Sequence, residues 1–280
     1  MTRKPIYFDH TIEMFRKLPD LRKMGFPRAT LVTSWGLYET VRGDYDTSRI
    51  DYETCRRTAT EPTWWNERQS EMIVLDEEYL DMHSDDLCKR DISHDQCIEA
   101  IRIYRAAHPG VAIGYYAKLP EASFYAPLIN AMPTSGWGPR QVYLDWIEHN
   151  KQFAGNINNG TLKPHKRGLL SQVDRIFPSM YQHWKDETNV DPLEVWKHFH
   201  DGTIAECEQY QKPIMPYLSP RFAGSGDYFS TGVWKEMLYH SLSHPSVDGV
   251  VIYQGTSEST DWDTDAIWWK ETLEVHNGNS

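Results

Sequence analysis

Apolar runs recur along this chain and end in polar or aromatic side chains: ATLVTSW at 29–35, MIVLDEEYL at 72–80, VAIGYY at 111–116, RIFPSMY at 175–181, PIMPYL at 213–218 and VDGVVIYQ at 247–254. Each run is continuous rather than alternating. That is the pattern of strands buried on both faces of a parallel sheet. Helix-length segments separate them, near 48–58, 94–107, 140–153, 192–210, 231–241 and 261–275. A short apolar element at 6–9 and an amphipathic helix over 11–24 are expected before the first run. Such alternation predicts an α/β fold, a (β/α) barrel of the TIM type with seven or eight strands and room for distortion, with residues 1–280 forming one catalytic domain. An open doubly wound sheet competes, but neither G-x-G-x-x-G nor G-x-x-x-x-G-K-[ST] occurs to favour it, and no cofactor is expected.

The run at 72–80 carries the chemistry. Four apolar residues lead straight into Asp76, Glu77 and Glu78. Strand alternation turns Asp76 and Glu78 to one side and Glu77 to the other. The two same-side residues stand about 6–7 Å apart at Cα, close enough for an ionised Asp76 to favour a protonated Glu78. Tyr116, Tyr181, Gln182, Tyr217, Tyr253 and Gln254 end other runs, where a barrel brings side chains to one mouth. Tryptophans in loop-like stretches, among them Trp35, Trp64, Trp65, Trp137, Trp184 and Trp262, suit the apolar faces of sugar rings, although any single one is as well explained by the core. Tyr253, Gln254, Tyr217, Trp35, Trp184 and Gln182 are therefore the expected substrate contacts.

Charge narrows the partners. Lysine and arginine number 29 against 40 acidic residues, a formal charge of −11. Nucleic acid and anionic membrane are poor partners for such a chain. Neither a signal-length apolar core near the N-terminus nor a run of about 20 apolar residues is present, so a soluble protein is expected. Cys55, Cys88, Cys97 and Cys207 form no C-x-x-C pair and read as thiols, with Cys88–Cys97 the pair that oxidation would join.

The order of the motifs resembles the hyaluronidases and their relatives, distorted (β/α) barrels that cut glycosidic bonds beside N-acetylhexosamine. Asp76-Glu77-Glu78 stands for the family's Asp-x-Glu, Gly114-Tyr115-Tyr116 before Pro120 for its Gly-[Phe/Tyr]-Tyr strand, Pro178-Ser179-Met180-Tyr181 for its Pro-Ser-[Ile]-Tyr, and Gly249-Val250-Val251-Ile252-Tyr253 for its last strand. The family usually has Trp at the positions of Glu77 and Tyr253, and its Pro-Asp-Cys-Tyr continuation is missing.

The resemblance implies a carbohydrate substrate and substrate-assisted catalysis. Glu78 would protonate the leaving oxygen, and Asp76 would hold the 2-acetamido group whose carbonyl attacks the anomeric carbon. Tyr116 and Tyr181 would bond that group, and Tyr253 would floor the sugar. Strand alternation turns Tyr115, Met180 and Ile252 toward the helices as packing and leaves Glu77 a helix-side contact expected to matter least.

Three other readings compete. One is a two-carboxylate glycosidase that adds Glu121, Asp227 or Glu258. Another is metal-assisted hydrolysis through His83, Asp85, Asp86 and His94, or through His198 and His200, which lack metal-site spacing and diverge on a helix. The third is a sugar-binding barrel without turnover.

Overall fold

The computed structural model describes residues 3–41, 44–61, 70–80, 87–132, 136–154, 168–184, 191–254 and 260–278. Its strands are β1 (Ile6–Asp9), β2 (Arg28–Val32), β3 (Glu39–Val41), β4 (Asp44–Asp46), β5 (Met72–Leu75), β6 (Ala112–Tyr115), β7 (Tyr217–Leu218) and β8 (Val250–Ile252). Six of them form one parallel half-barrel sheet in the order β6-β5-β2-β1-β8-β7, and β3 pairs antiparallel with β4 as a separate hairpin. The helices are α1 (Ser34–Leu37), α2 (Tyr52–Thr60), α3 (Leu87–Ala107), α4 (Ala126–Ala131), α5 (Arg140–Ala154), α6 (Pro192–Glu208), α7 (Val233–Ser243) and α8 (Ile267–Gly278).

Alternation along the strands divides the core in two. Ile6, Phe8, Val32, Ile73, Leu75, Ile113, Tyr115, Met180 and Ile252 pack outward with the helices. Tyr7, Leu31, Met72, Val74, Phe177, Met215, Tyr217 and Val251 fill the inside of the curved sheet, with Tyr116, Tyr181 and Tyr253 partly buried against them. Tyr115, Met180 and Ile252 thus face the helices, as the alternation requires. Burying one such aliphatic side chain stabilises by about 1.5–3 kcal/mol.

The ring of regular pairing is incomplete. Segment 174–180 lies between the edge strands β6 and β7, held by isolated parallel bridges Tyr116–Phe177, Ile176–Ile214 and Ser179–Tyr217. The expected strand 175–181 is therefore a row of single bridges, and only Tyr217–Leu218 of 213–218 forms a ladder. Pro178, Pro213 and Pro216 explain this, because each lacks the N–H a ladder would use. Gly114 lets the segment approach: a Cβ there would lie 2.4 Å from the carbonyl oxygen of Arg175.

Two helix expectations change. Over 11–24 the chain forms a short 3-10 helix, His10–Met14, followed by turns, since Pro19 interrupts the hydrogen-bond ladder and restricts Leu18 before it. Helix α3 begins at Leu87 rather than near His94, because the polar stretch DLCKRDIS hides its period. The Asn158-Asn159-Gly160 turn and Trp64-Trp65 lie outside the described residues. Cys55 and Cys207 are buried thiols. Among the described residues no helix is long and apolar enough to cross a membrane.

Candidate active site

β5 delivers its acids as the alternation requires. The backbone N–H of Asp76 donates to the carbonyl of Val32 at 2.8 Å, continuing the β5–β2 ladder one residue past the strand. Asp76 and Glu78 line a cleft of about 240 Å³ together with Tyr116, Lys118, Glu121, Phe124, Ser179 and Tyr181. Glu78 is exposed, whereas Oδ1 of Asp76 is buried with no hydrogen-bond partner among the described residues. The hydroxyl groups of Tyr116 and Ser179 are 2.8 Å apart, and the Tyr116 ring stands 5.9 Å from that of Tyr181, which stacks on Tyr253 at 5.9 Å. Burial raises the hydroxyl pKa of Tyr116, Tyr181 and Tyr253, so these groups stay protonated donors.

Glu77 plays an unexpected part. It is 1 % exposed, and its Oε1 accepts from the Tyr38 hydroxyl (2.5 Å) and the backbone N–H groups of Tyr79 (2.6 Å) and Leu80 (2.7 Å). Nζ of Lys118 lies 2.9 Å from Oε2. The residue expected to matter least ties the β5 exit to α1 through Tyr38 and to the β6 exit through Lys118. Ala117, in the left-handed region at φ 53°, forms the bend between Tyr116 and Lys118, and α5 braces the loop through Trp146 Nε1 on the Glu121 carbonyl (2.9 Å).

Burial acts most strongly on the carboxyl of Asp76. Its pKa is pushed up to about 7, first by burial, then by the charges of Glu78 and Asp9, against the pull of Lys118. The expectation is an ionised Asp76; burial instead favours its protonated form near neutral pH in the ligand-free cleft. Because the folded pKa exceeds that of the unfolded chain, the contribution of Asp76 to stability is fully present below about pH 4 and is lost as pH rises through 7. Asp76→Asn removes that loss. The melting temperature of the variant relative to wild type should rise between pH 4 and pH 8, and a difference that stays flat with pH in thermal scans would refute the assignment.

Asp9 is the residue the sequence reading passed over. It ends β1, is 0 % exposed, accepts from Thr11 N–H (2.9 Å) and from the Tyr217 hydroxyl (3.1 Å), and its charge reaches Asp76, Tyr217 and Tyr253. The available signal was the same as at β5, an apolar run closing on an acid. A four-residue strand beside an apparent helix concealed it.

The other expected contacts divide. Tyr253 is half-buried at the mouth, and Trp35 is half-buried at the start of α1, its ring 6.3 Å from that of His10. Tyr217 is wholly buried beneath Tyr116, with its hydroxyl on Asp9, and presents no surface to a ligand. Trp184 is core, packed edge-on to Phe199 at 5.3 Å. Gln182 is buried and donates to the Pro192 carbonyl at 2.6 Å. Gln254 is also buried, its amide oxygen accepting from Arg221 (2.8 and 3.1 Å) and Tyr228 (2.7 Å). These four are buried, and none of them lines the cleft.

Glu121 lines the cleft and Asp227 is exposed in the loop before α7, while Glu258, His83, Asp85 and Asp86 lie outside the described residues. His94 is buried against the Leu169 N–H, and His198 is exposed where His200 is buried, so the two diverge.

The same fold occurs among solved structures. Bee venom hyaluronidase superposes over 98% of this chain and 97% of its own, with a TM-score of 0.63 at 13% identity. The chain shares that fold. The same enzyme in complex with a hyaluronic acid tetramer matches over 98% of this chain and 95% of its own, with a TM-score of 0.56 at 11% identity. An endo-beta-1,4-mannanase double mutant from Cellulomonas fimi matches over 97% of this chain and 70% of its own, with a TM-score of 0.50 at 10% identity. No family model and no curated protein sequence matches the chain.

Proposed function

We propose that this protein is a glycoside hydrolase that cleaves a glycan beside N-acetylhexosamine, with Glu78 as general acid and the substrate's own acetamido group as nucleophile. The observation that carries the reading is the meeting of Asp76, Glu78, Tyr116 and Tyr181 in one cleft at the carboxyl ends of parallel strands, in a fold shared with bee venom hyaluronidase.

In the open cleft burial favours the protonated form of Asp76. A sugar seated over Glu78 strips water from that exposed carboxyl, while an acetamide N–H offers Asp76 a donor that favours its ionised form. Binding thus favours an ionised Asp76 on the acetamido group and a protonated Glu78 that gives its proton to the leaving oxygen. The hydroxyls of Tyr116 and Ser179 orient the acetamido group, and the stacked Tyr181 and Tyr253 rings give the sugar an apolar floor.

The charge of the cleft supports a neutral glycan. Its described lining holds Asp76, Glu77, Glu78 and Glu121 against one cation, Lys118, whose charge Glu77 already takes up. Arg221 is engaged by Gln254 and Tyr228, and Arg140 by Asn130. A polyuronate would meet repulsion there.

N-acetylglucosamine oligomers, their de-N-acetylated counterparts and hyaluronan separate these claims. Cleavage of the first alone is expected. Equal cleavage of the deacetylated oligomers would refute substrate assistance and favour an ordinary two-carboxylate glycosidase, for which Glu121 is the second acid placed in the cleft. Equal cleavage of hyaluronan would refute the preference for a neutral chain.

A further inference from the structure

On the outer layer, α6 and α7 bring two histidines and an aspartate together. Nδ1 of His200 lies 3.0 Å from Oδ1 of Asp201, and Nε2 of His240 lies 2.7 Å from the same oxygen. Both rings therefore aim a nitrogen at one point, with centroids 4.9 Å apart and planes at 73°. Among the described residues this is the only group of three histidine, cysteine or acidic side chains whose donor atoms all lie within 4.8 Å of one another.

The spacing matches a tetrahedral cation. With Zn–N bonds of about 2.0–2.1 Å, two imidazoles at a tetrahedral angle have centroids roughly 5 Å apart and neighbouring donor atoms roughly 3.3 Å apart. The rings already satisfy the first value. The second needs an opening of a few tenths of an ångström, which Asp201 (50 % exposed side chain) and His240 (25 %) have room to supply. His200 is the fixed member, fully buried against Trp196 at 5.1 Å.

His200 supplies the second observation. Its side chain is 0 % exposed, yet Nε2 has no hydrogen-bond partner among the described residues. Leaving a buried polar atom unpaired is destabilising, and an apolar residue at the same helix position avoids that cost. A cation bound at Nδ1 leaves Nε2 unpaired, with the ring proton on it, but is an interaction strong enough to offset that cost and to keep a histidine at this position.

We propose that His200, Asp201 and His240 form a binding site for a divalent cation of the zinc class, completed by water and clamping α6 to α7. The donor set, two imidazoles and a carboxylate, suits zinc and its transition-metal neighbours and disfavours magnesium and calcium, which take oxygen ligands. The site stands apart from the cleft, and its role is structural. Trp196, which packs on His200, donates from Nε1 to the Met180 carbonyl at 2.9 Å, so the clamp would brace the segment that carries Tyr181.

The test uses untagged full-length protein stripped with chelator and titrated calorimetrically with ZnCl2, with CoCl2 absorption reporting the ligand geometry. Expected are one saturable equivalent per chain, a tetrahedral cobalt spectrum and a melting temperature that rises with added zinc. In His240→Ala and Asp201→Asn, two partly exposed positions, affinity should fall at least about tenfold and the thermal shift should vanish. Absence of saturable binding, or binding and thermal shift unchanged in both variants, would overturn the proposal and leave Asp201 as a hydrogen-bonding staple between the helices.

Discussion

Glu78→Gln should lower turnover on the substrate by about 10²–10⁴-fold, the range that general acid catalysis contributes, while the melting temperature stays at the wild-type value. The two halves of this result have separate causes. Glu78 is exposed and makes no hydrogen bond among the described residues, so its neutral isostere removes nothing that holds the fold. What the amide cannot do is surrender a proton to the leaving oxygen. KM should change little, because the tyrosine floor and the Asp76 contact survive. A substrate with a leaving group that needs no protonation should recover much of the lost rate, and a uniformly slow variant would point to misplacement of the substrate instead.

Glu77→Ala should have the opposite signature, a large loss of stability. Three hydrogen bonds and an ion pair converge on this carboxylate, which is 1 % exposed. Truncation strands the Tyr38 hydroxyl, two backbone N–H groups and the ammonium of Lys118, whose side chain is 14 % exposed. Breaking a buried ion pair in this way costs about 3–5 kcal/mol, equivalent to a drop on the order of 10 °C in a chain of this size. Glu77→Gln retains an acceptor for the Tyr38 and backbone bonds and should lose less. Calorimetry on the three proteins decides the matter, and unfolding of Glu77→Ala at the wild-type temperature would remove Glu77 from its place at the junction of the β5 and β6 exits.

These two neighbours show what the sequence could and could not disclose. Their opposite orientations were legible, since alternation past an apolar run needs only the strand. Their importance was not, because it depends on Tyr38 and Lys118, far from them in sequence and brought there by the fold. The inner strands were readable for the same reason as the alternation: Met72–Leu75 is buried at every position and so apolar at every position. Strand pairing was not readable where proline removed the donors, and RIFPSMY keeps an apolar strand pattern around Pro178 while forming only single bridges.

Aromatic residues misled for a physical reason as well. A tryptophan near a strand end serves a sugar and a core equally well, and Trp184 proved to be core while Trp35 remains half-buried near the mouth. Gln182 and Gln254 stand at strand ends, but their amides turn back to satisfy Pro192, Arg221 and Tyr228. Residues at a strand end reach the cleft only when the following loop leaves the mouth open. That is a property of the loops, such as the Ala117 bend that places Lys118 beside Glu77.

The most direct measurement is mass spectrometry of products from a panel of neutral N-acetylhexosamine oligosaccharides incubated with wild type and with Glu78→Gln. The account predicts shortened chains from at least one of them with wild type and intact chains with the variant. Intact chains throughout with wild type, or equal cleavage by both proteins, would contradict it.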